Sequence, residues 1–376
     1  MEDKDIVIYM GMSPEQYISE FLAESPHIIS EPTYLTTLKS IIRVKYYFDP
    51  TLEDTLNNVE EILKKMGKLR SEPTVSYPSV VKEGHLDYLK NIYQPEQKSQ
   101  EWYTFRHDHI TASNAWKALG TTASKNQLIY EKCQPLNTEK YKSSLSETPM
   151  SWGNKYEYLT ACIYEEKNHT TISSFGCIAH PTYSFLAASP DGIVTGETNY
   201  GRMIEIKNVV SREITGIPKK DYYIQMQLQM EVCDLEECDF VETKFIEYDT
   251  ESEYIEDTTS KKGVIIVFIN AESEFVYKYM PFDEEDYDGW IDNTLADTDN
   301  TMKWFKNIYW KLEVYSCVLV KRQKEWFNSA VPEFISLWET IQQERINGEF
   351  INRAPKKRVL KNENKNELKP ELLIDM

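Results

Sequence analysis

An α+β, or mixed α/β, fold is expected from three observations. The chain opens with helical patterning, continues through strand-like segments interrupted by one helix, and returns to helical composition. At 376 residues it exceeds the usual span of one core, so one large domain with additions, or two domains, is expected. With 41% hydrophobic and 12% aromatic residues it can bury a sizeable interior. "SPEQYISEFLAE" begins as a helix should, with a Ser cap, Pro at the first position and Glu in the first turn. "DPTLEDTLNNVEEILKKMGK" places Leu52, Leu56, Val59, Leu63 and Met66 three or four residues apart and stops at Gly67. Arg70–Gly84 has two prolines and no period, so residues 1–84 read as a helical extension ending in a linker.

From Gln100 to Gly120 the pattern is a helix, a break at "HDHI" and a second helix capped near Thr111 or Ser113. Residues 134–150 are polar and loop-like. In Ser151–Asn168, Trp152, Tyr156, Leu159 and Ile163 form the apolar stripe of a helix, with Gly153, Glu157 and Ala161 on the adjoining face. Strands are expected around Ile178, Tyr183–Ala188, Gly201–Val209, Asp239–Tyr248, Val264–Asn270 and Phe275–Tyr279, with a helix over Asp221–Cys233. Residues Tyr287–Asn347 read as helical. Residues 85–350 then form the main domain, and 351–376 a charged, flexible tail.

Composition narrows the function classes. The longest aliphatic-aromatic run, Val264–Ile269, is far too short to span a bilayer, and the acidic N-terminus does not read as a signal peptide. Six cysteines without a CxxC pair suit a reducing compartment, so an intracellular protein with no membrane partner is expected. The net charge of −19 argues against broad coating of DNA, although an acidic shell can enclose a basic channel.

The chemistry concentrates in "AASPDGIVTGETNYGRMIEIKN". On a strand, Glu205 and Lys207 point to one face while Ile204 and Ile206 point to the other. "SPDG" bends the preceding strand back, so a twisted hairpin can bring Asp191 near Glu205. Two converging carboxylates repel, and a divalent cation relieves the repulsion. Hard oxygen donors suit Mg²⁺, with Mn²⁺ able to substitute, and the Ile206 carbonyl lies between the two side chains as a further donor. Lys207 is placed to hold a water or a developing charge. Taken singly, Pro-Asp-Gly is most often a surface turn and Glu-x-Lys a solvated strand face. Their conjunction points to a catalytic site.

The ordered set "EWYTFRHDHITASN", "WGNKYE", "SPDG", "IEIK" and "YYIQMQ" resembles the YqaJ-type viral recombinase nucleases, relatives of phage lambda exonuclease in the PD-(D/E)XK superfamily. The likeness runs from about Glu101 to Cys233. It implies a restriction-endonuclease-like core: a central mixed β-sheet flanked by helices, here with helical additions at both ends. It also implies a Mg²⁺-dependent deoxyribonuclease that degrades duplex DNA from the 5′ end, in viral recombination, repair or genome processing. Asp191 and Glu205 match the metal ligands and Lys207 the catalytic lysine. Glu157 matches a helical carboxylate assisting the metal, and Gln225 an amide that orients the lysine or water. Arg106 and Ser113 match the pair that grips a terminal 5′-phosphate. Ser189 matches a further phosphate contact, and Arg212 resembles an Arg following the Glu-x-Lys strand, one residue closer here. The implied partners are double-stranded DNA ends and a single-strand annealing protein, at viral replication sites in host cytoplasm or nucleus. An oligomer is compatible with the sequence.

An endonuclease of the same fold, restriction-like or junction-resolving, and a non-catalytic recombination scaffold are the alternatives. Arg106 with Ser113 favours end reading, and the complete carboxylate–lysine set favours catalysis. Trp102 reads as a core residue, and His107 and His109 lack a third ligand for zinc. Lys155, Lys219 and Lys220 are candidates to line a DNA path. Where a Pro commonly follows the Glu-x-Lys strand in the family, this chain has Asn208-Val209-Val210.

Overall fold

The computed structural model describes residues 81–137, 149–258, 261–299 and 301–355. The helices expected within residues 1–80, most of the 134–150 loop and the tail beyond 355 lie outside them. The chain runs α1 (His85–Asn91), α2 (Gln100–His107), β1 (Ile110–Thr111), α3 (Ala112–Ala118), α4 (Thr122–Cys133), α5 (Pro149–Asn168) and the short strands β2 (Ile172–Ser173), β3 (Ile178–Ala179), β4 (Leu186–Ala188) and β5 (Gly192–Val194). It continues through β6 (Met203–Asn208), α6 (Lys220–Cys233), β7 (Glu237–Glu247), α7 (Glu251–Glu256), β8 (Lys262–Ile269), β9 (Phe275–Tyr279), α8 (Tyr287–Ala296), β10 (Lys303–Lys321) and α9 (Lys324–Asn347).

A seven-stranded mixed sheet has the order β2-β5-β6-β7-β10-β8-β9, and a three-stranded sheet the order β1-β4-β3. Strand β6 lies antiparallel to β5 and parallel to β7, with Glu205 opposite Phe240 and Lys207 opposite Glu242. Alternation along β6 sends Ile204 and Ile206 into a cluster with Tyr164 of α5 and Val241. Met203 instead joins Phe240 and Met226 of α6 in the largest cluster. The sheet therefore lies between α5 on one face and α6 on the other, which confirms the expected mixed sheet flanked by helices.

Helix α5 buries Tyr156, Leu159 and Ile163 as its spacing predicts, against Phe245 and Trp310. It ends where His169 turns left-handed, φ 49°, and the Thr170 N–H returns to the Glu165 carbonyl at 3.1 Å. Helix α6 ends the same way at Asp234, φ 49°, with the Leu235 N–H on the Met230 carbonyl at 3.0 Å.

Two expectations are corrected. Residues 303–321 form a long strand within the stretch read as helical from Tyr287. Strand β10 pairs with β8 through its first half and β7 through its second. Its aromatic and β-branched residues bury at alternate positions, Ile308 with Trp310 and Val318 with Val320, the period-two signature of a strand. Secondly, "SPDG" is not the turn of the hairpin that carries Glu205 and Lys207. It carries the chain out of the three-stranded sheet, after β4, into β5 of the large sheet. The hairpin is β5–β6, closed where Gly201 donates to Val194 O and Val194 to Arg202 O, each at 2.8 Å. Gly201 has φ 79° and sits so close to Val81 that a Cβ would lie 2.1 Å from its Cγ2. At the other end, residues 351–353 belong to a 3₁₀ turn (Glu349–Arg353) held by Arg353 Nε on Glu344 Oε2 at 2.7 Å.

Phe240 is fully buried on β7 beside the β6 carboxylate. Phe240→Ala is expected to cost about 3–5 kcal/mol of unfolding free energy, measured by urea denaturation.

Candidate active site

Glu205 is completely buried, yet its carboxylate is well supplied with donors. Lys207, two residues along the same face of β6, donates to Oε1. Gln225 Nε2 donates to the same oxygen at 2.7 Å, and Gln229 Nε2 to Oε2 at 2.8 Å. The two glutamines stand one helical turn apart, so one face of α6 presents both amides. Gln227 faces away and ties α6 to the end of β10, bonding the Lys321 carbonyl at 2.9 Å and the Gln323 N–H at 2.7 Å. The "QMQLQ" run therefore separates into two site residues and one structural residue. Gln229 was missed by motif reading, although its spacing from Gln225 carried the signal.

Asp191 accepts the Ile206 N–H at 2.7 Å, which pins the start of β5 against β6. Burial pushes the Asp191 carboxyl well above the usual carboxylate range, and the charges of Glu205 and Glu157 push it the same way, while Lys207 opposes them. Burial alone would lower the Lys207 ammonium; the Glu205 and Asp191 carboxylates reverse this and hold it above the ordinary lysine value. Glu157 comes from α5, on the opposite face of the sheet, and its charge reaches Asp191. Asp191, Glu205, Lys207, Glu157 and Gln225 thus form one electrostatic cluster.

The departure at Asn208-Val209 has a local physical reason. Asn208 Oδ1 accepts from Thr160 and Thr243, both at 2.7 Å, and its amide donates to the Gly153 carbonyl at 3.0 Å, clamping α5 to the sheet. The Val209 N–H donates to Thr243 O at 2.7 Å, a bond proline cannot make.

Arg106 Nη2 donates to Ser113 Oγ at 2.9 Å. Trp102 is not a core residue. It is half-buried, its ring lies 4.2 Å beneath the Arg106 guanidinium, and its indole N–H donates to Ser189 Oγ at 3.1 Å. It thereby joins Arg106 and Ser113 to the segment that carries Asp191. Trp102 and Arg106 line a cleft of about 940 Å³ together with Thr111, Asn114 and Lys132.

Arg212 is engaged by the buried carboxylate of Glu242, directly across from Lys207 on β7. Lys155 is buried and paired with Glu247 at 2.5 Å, so it lines no surface path, whereas Lys219 and Lys220 are exposed. His107 Nε2 lies 2.8 Å from the Gln134 carbonyl, and His109 stacks on Phe105 with Nδ1 at 2.6 Å from its carbonyl.

Among the described residues no three His, Cys, Asp or Glu side chains are already disposed as a metal set, because Glu205 is turned toward Lys207 and the glutamines. The donor chemistry nonetheless fits a hard divalent cation. Two mutually repelling carboxylates lie in a site of low polarity, and the buried Gln229 Oε1 has no hydrogen-bond partner beside them.

Residues 101–236 match the YqaJ-like viral recombinase domain. The chain is also 27% identical over 322 residues to Uncharacterized protein R354 of Acanthamoeba polyphaga mimivirus, a match covering 70% of this chain and 57% of the relative. It therefore spans little more than half that protein's length. Among solved structures it is similar to an alkaline exonuclease (LHK-Exo) from Laribacter hongkongensis, with 20% identity, TM-score 0.41, and coverage of 68% of this chain and 100% of that one. A phage related exonuclease from Haemophilus somnus 129PT aligns at 13% identity and TM-score 0.35, covering 65% and 98%. No helix among the described residues is long and apolar enough to cross a membrane.

The raised Asp191 carboxyl sets the sign of a pH effect. The folded protein holds that proton above the unfolded value of about 4, so its contribution to stability is lost as pH rises from there through the folded pKa. In chelator, Asp191→Asn is expected to flatten this decline and to melt above the wild type near neutral pH, by about 2–4 °C for each kcal/mol relieved. Thermal melts of both proteins between pH 5 and 8 measure it.

Proposed function

We propose that this protein is a metal-dependent deoxyribonuclease that hydrolyses phosphodiester bonds of double-stranded DNA from the 5′ end, serving viral DNA recombination, repair or genome processing. The observation that carries the reading is the convergence of two units: the Asp191–Glu205–Lys207 cluster, and the Arg106–Ser113 pair joined to it through Trp102 and Ser189. An end-reading nuclease needs both a hydrolytic centre and a fixed grip on the terminal phosphate nearby.

Asp191, Glu205, Glu157 and the Ile206 carbonyl would hold Mg²⁺ or Mn²⁺, which supplies Lewis-acid charge and a more acidic water. The chain's own residues do the remaining work. Lys207 stays protonated at neutral pH and presents a fixed positive charge to the scissile phosphate. Gln225 and Gln229 bind the Glu205 carboxylate from α6 and anchor it beside Lys207. Arg106 offers a planar fork to the terminal phosphate, with Ser113 and Ser189 adding hydroxyl donors. Arg212 contributes a further phosphate contact on leaving Glu242. A single-strand annealing protein is a fitting partner, because resection from a 5′ end exposes the strand such a protein binds.

On linear duplexes with Mg²⁺, the wild type is expected to degrade 5′-phosphorylated ends and to leave a covalently closed plasmid intact. Rapid nicking of the plasmid would favour an endonuclease. Arg106→Ala should lose preference for phosphorylated over hydroxyl ends by about 10–100-fold, the value of a charge-assisted hydrogen bond, while still cutting hydroxyl ends. Asp191→Asn should be inactive on both.

A further inference from the structure

Lys132, near the end of α4, lies in an environment unusual for a lysine. It is 6% exposed and lines the same cleft as Arg106. Its Nζ donates to the Arg106 carbonyl at 2.5 Å, and no ion pair joins it to a carboxylate among the described residues. The neighbouring acids are already engaged. Glu131 is held by Lys117 at 2.8 Å, and Asp108 by His107 at 3.2 Å and Arg345 at 3.4 Å. The other charged or titratable groups acting on Lys132 are Arg106 from α2, Arg345 from α9, and Cys177 from the β2–β3 connection. His109, beyond the end of α2, in turn feels the Lys132 charge. The Cys177 thiol is hydrogen-bonded to the Ser189 hydroxyl, so Lys132, Arg106 and Ser189 belong to one neighbourhood. A buried amine among cations, with no acid of its own, is a place where an incoming anion restores the balance.

We propose that Lys132 is a second cation of the end-reading pocket, binding the terminal 5′-phosphate of DNA together with Arg106. This rests on the end-reading function proposed above. Burial, followed by the Arg106 and Arg345 charges, lowers the Lys132 ammonium to about 7, so near and above neutral pH much of it is uncharged before substrate arrives. A phosphate dianion placed against it favours the ammonium, and recognition of the phosphorylated end then draws a proton from solvent onto Lys132. A 5′-hydroxyl end supplies no such charge and draws none.

The test is calorimetric titration of the full chain in chelator, so that nothing is cut, with a short blunt duplex carrying or lacking the 5′-phosphate. At pH 8, in two buffers of different ionisation enthalpy, wild type should take up about one proton more with the phosphorylated duplex than with the hydroxyl duplex. Lys132→Met should lose about tenfold or more of the wild-type preference for the phosphorylated end, bind the hydroxyl duplex as wild type does, and abolish the extra proton. Undiminished preference in Lys132→Met overturns the proposal. So does lost preference without phosphate-linked proton uptake in wild type, which would mean that Lys132 only props the Arg106 turn. Should Lys132→Met fail to fold, proton uptake by wild type decides the matter in either direction. If wild type binds both duplexes equally, the end-reading function itself fails and this proposal with it. That failure appears before any variant is made, so the two are told apart.

Discussion

The burial of one carboxylate, Glu205, is the constraint on which the arrangement of the site depends. A charged group enclosed in a sheet must be met by donors on every side, and here they come from two elements: Lys207 from its own strand, and Gln225 with Gln229 from α6. The arrangement holds only while α6 is fixed against the face of β6 that carries Glu205. The apolar remainder of α6 provides that fixation, packing Met226, Leu228 and Met230 into the same cluster as Met203 and Phe240. Gln227 anchors the helix to β10 from its other side. Packing and chemistry are therefore inseparable on this helix.

Asp191 experiences the complementary stress. It is held near Glu205 by one backbone hydrogen bond and by the short β5–β6 pairing, and its carboxyl is pushed toward the protonated form. Two acids kept close at a cost to the fold carry a penalty that a bound cation would relieve. The Arg106 side follows a similar logic. Trp102 supports the Arg106 guanidinium with its ring face and holds Ser189 with its N–H. A movement of α2 would therefore shift Arg106 and, through Ser189, the segment leading to Asp191.

Much of this was legible in the sequence, and the parts that were not share a cause. The α5 stripe, the α6 helix and the alternation of Glu205 and Lys207 on β6 are local periodicities, and they appear as read. Strand β10 was misread because aromatic and charged residues at mixed spacing suit either period, and its strand character comes from pairing with β7 and β8, far away in sequence. The "SPDG" segment was recognised as a bend. That it passes between two sheets depends on β4 pairing with β1 and β3, which no local pattern announces. Trp102 looked like core because tryptophan usually is; only the placement of Ser189 and Arg106 around it shows otherwise.

By itself the sequence determined which residue types were available and which could share a face, because side-chain direction along a strand or helix follows from backbone geometry alone. That sufficed to bring Asp191, Glu205 and Lys207 together as candidates, whereas Glu157, Gln225, Arg106, Ser113 and Ser189 came from the resemblance of ordered motifs. Tertiary structure decided what surrounds each of them. It enclosed Glu205, paired Arg212 with Glu242, withdrew Lys155 into a structural ion pair, and set Lys132 beside Arg106 without an acid of its own. The physical reason is that burial and the field of neighbouring charges are properties of contacts between distant segments, and these exist only once the chain has folded.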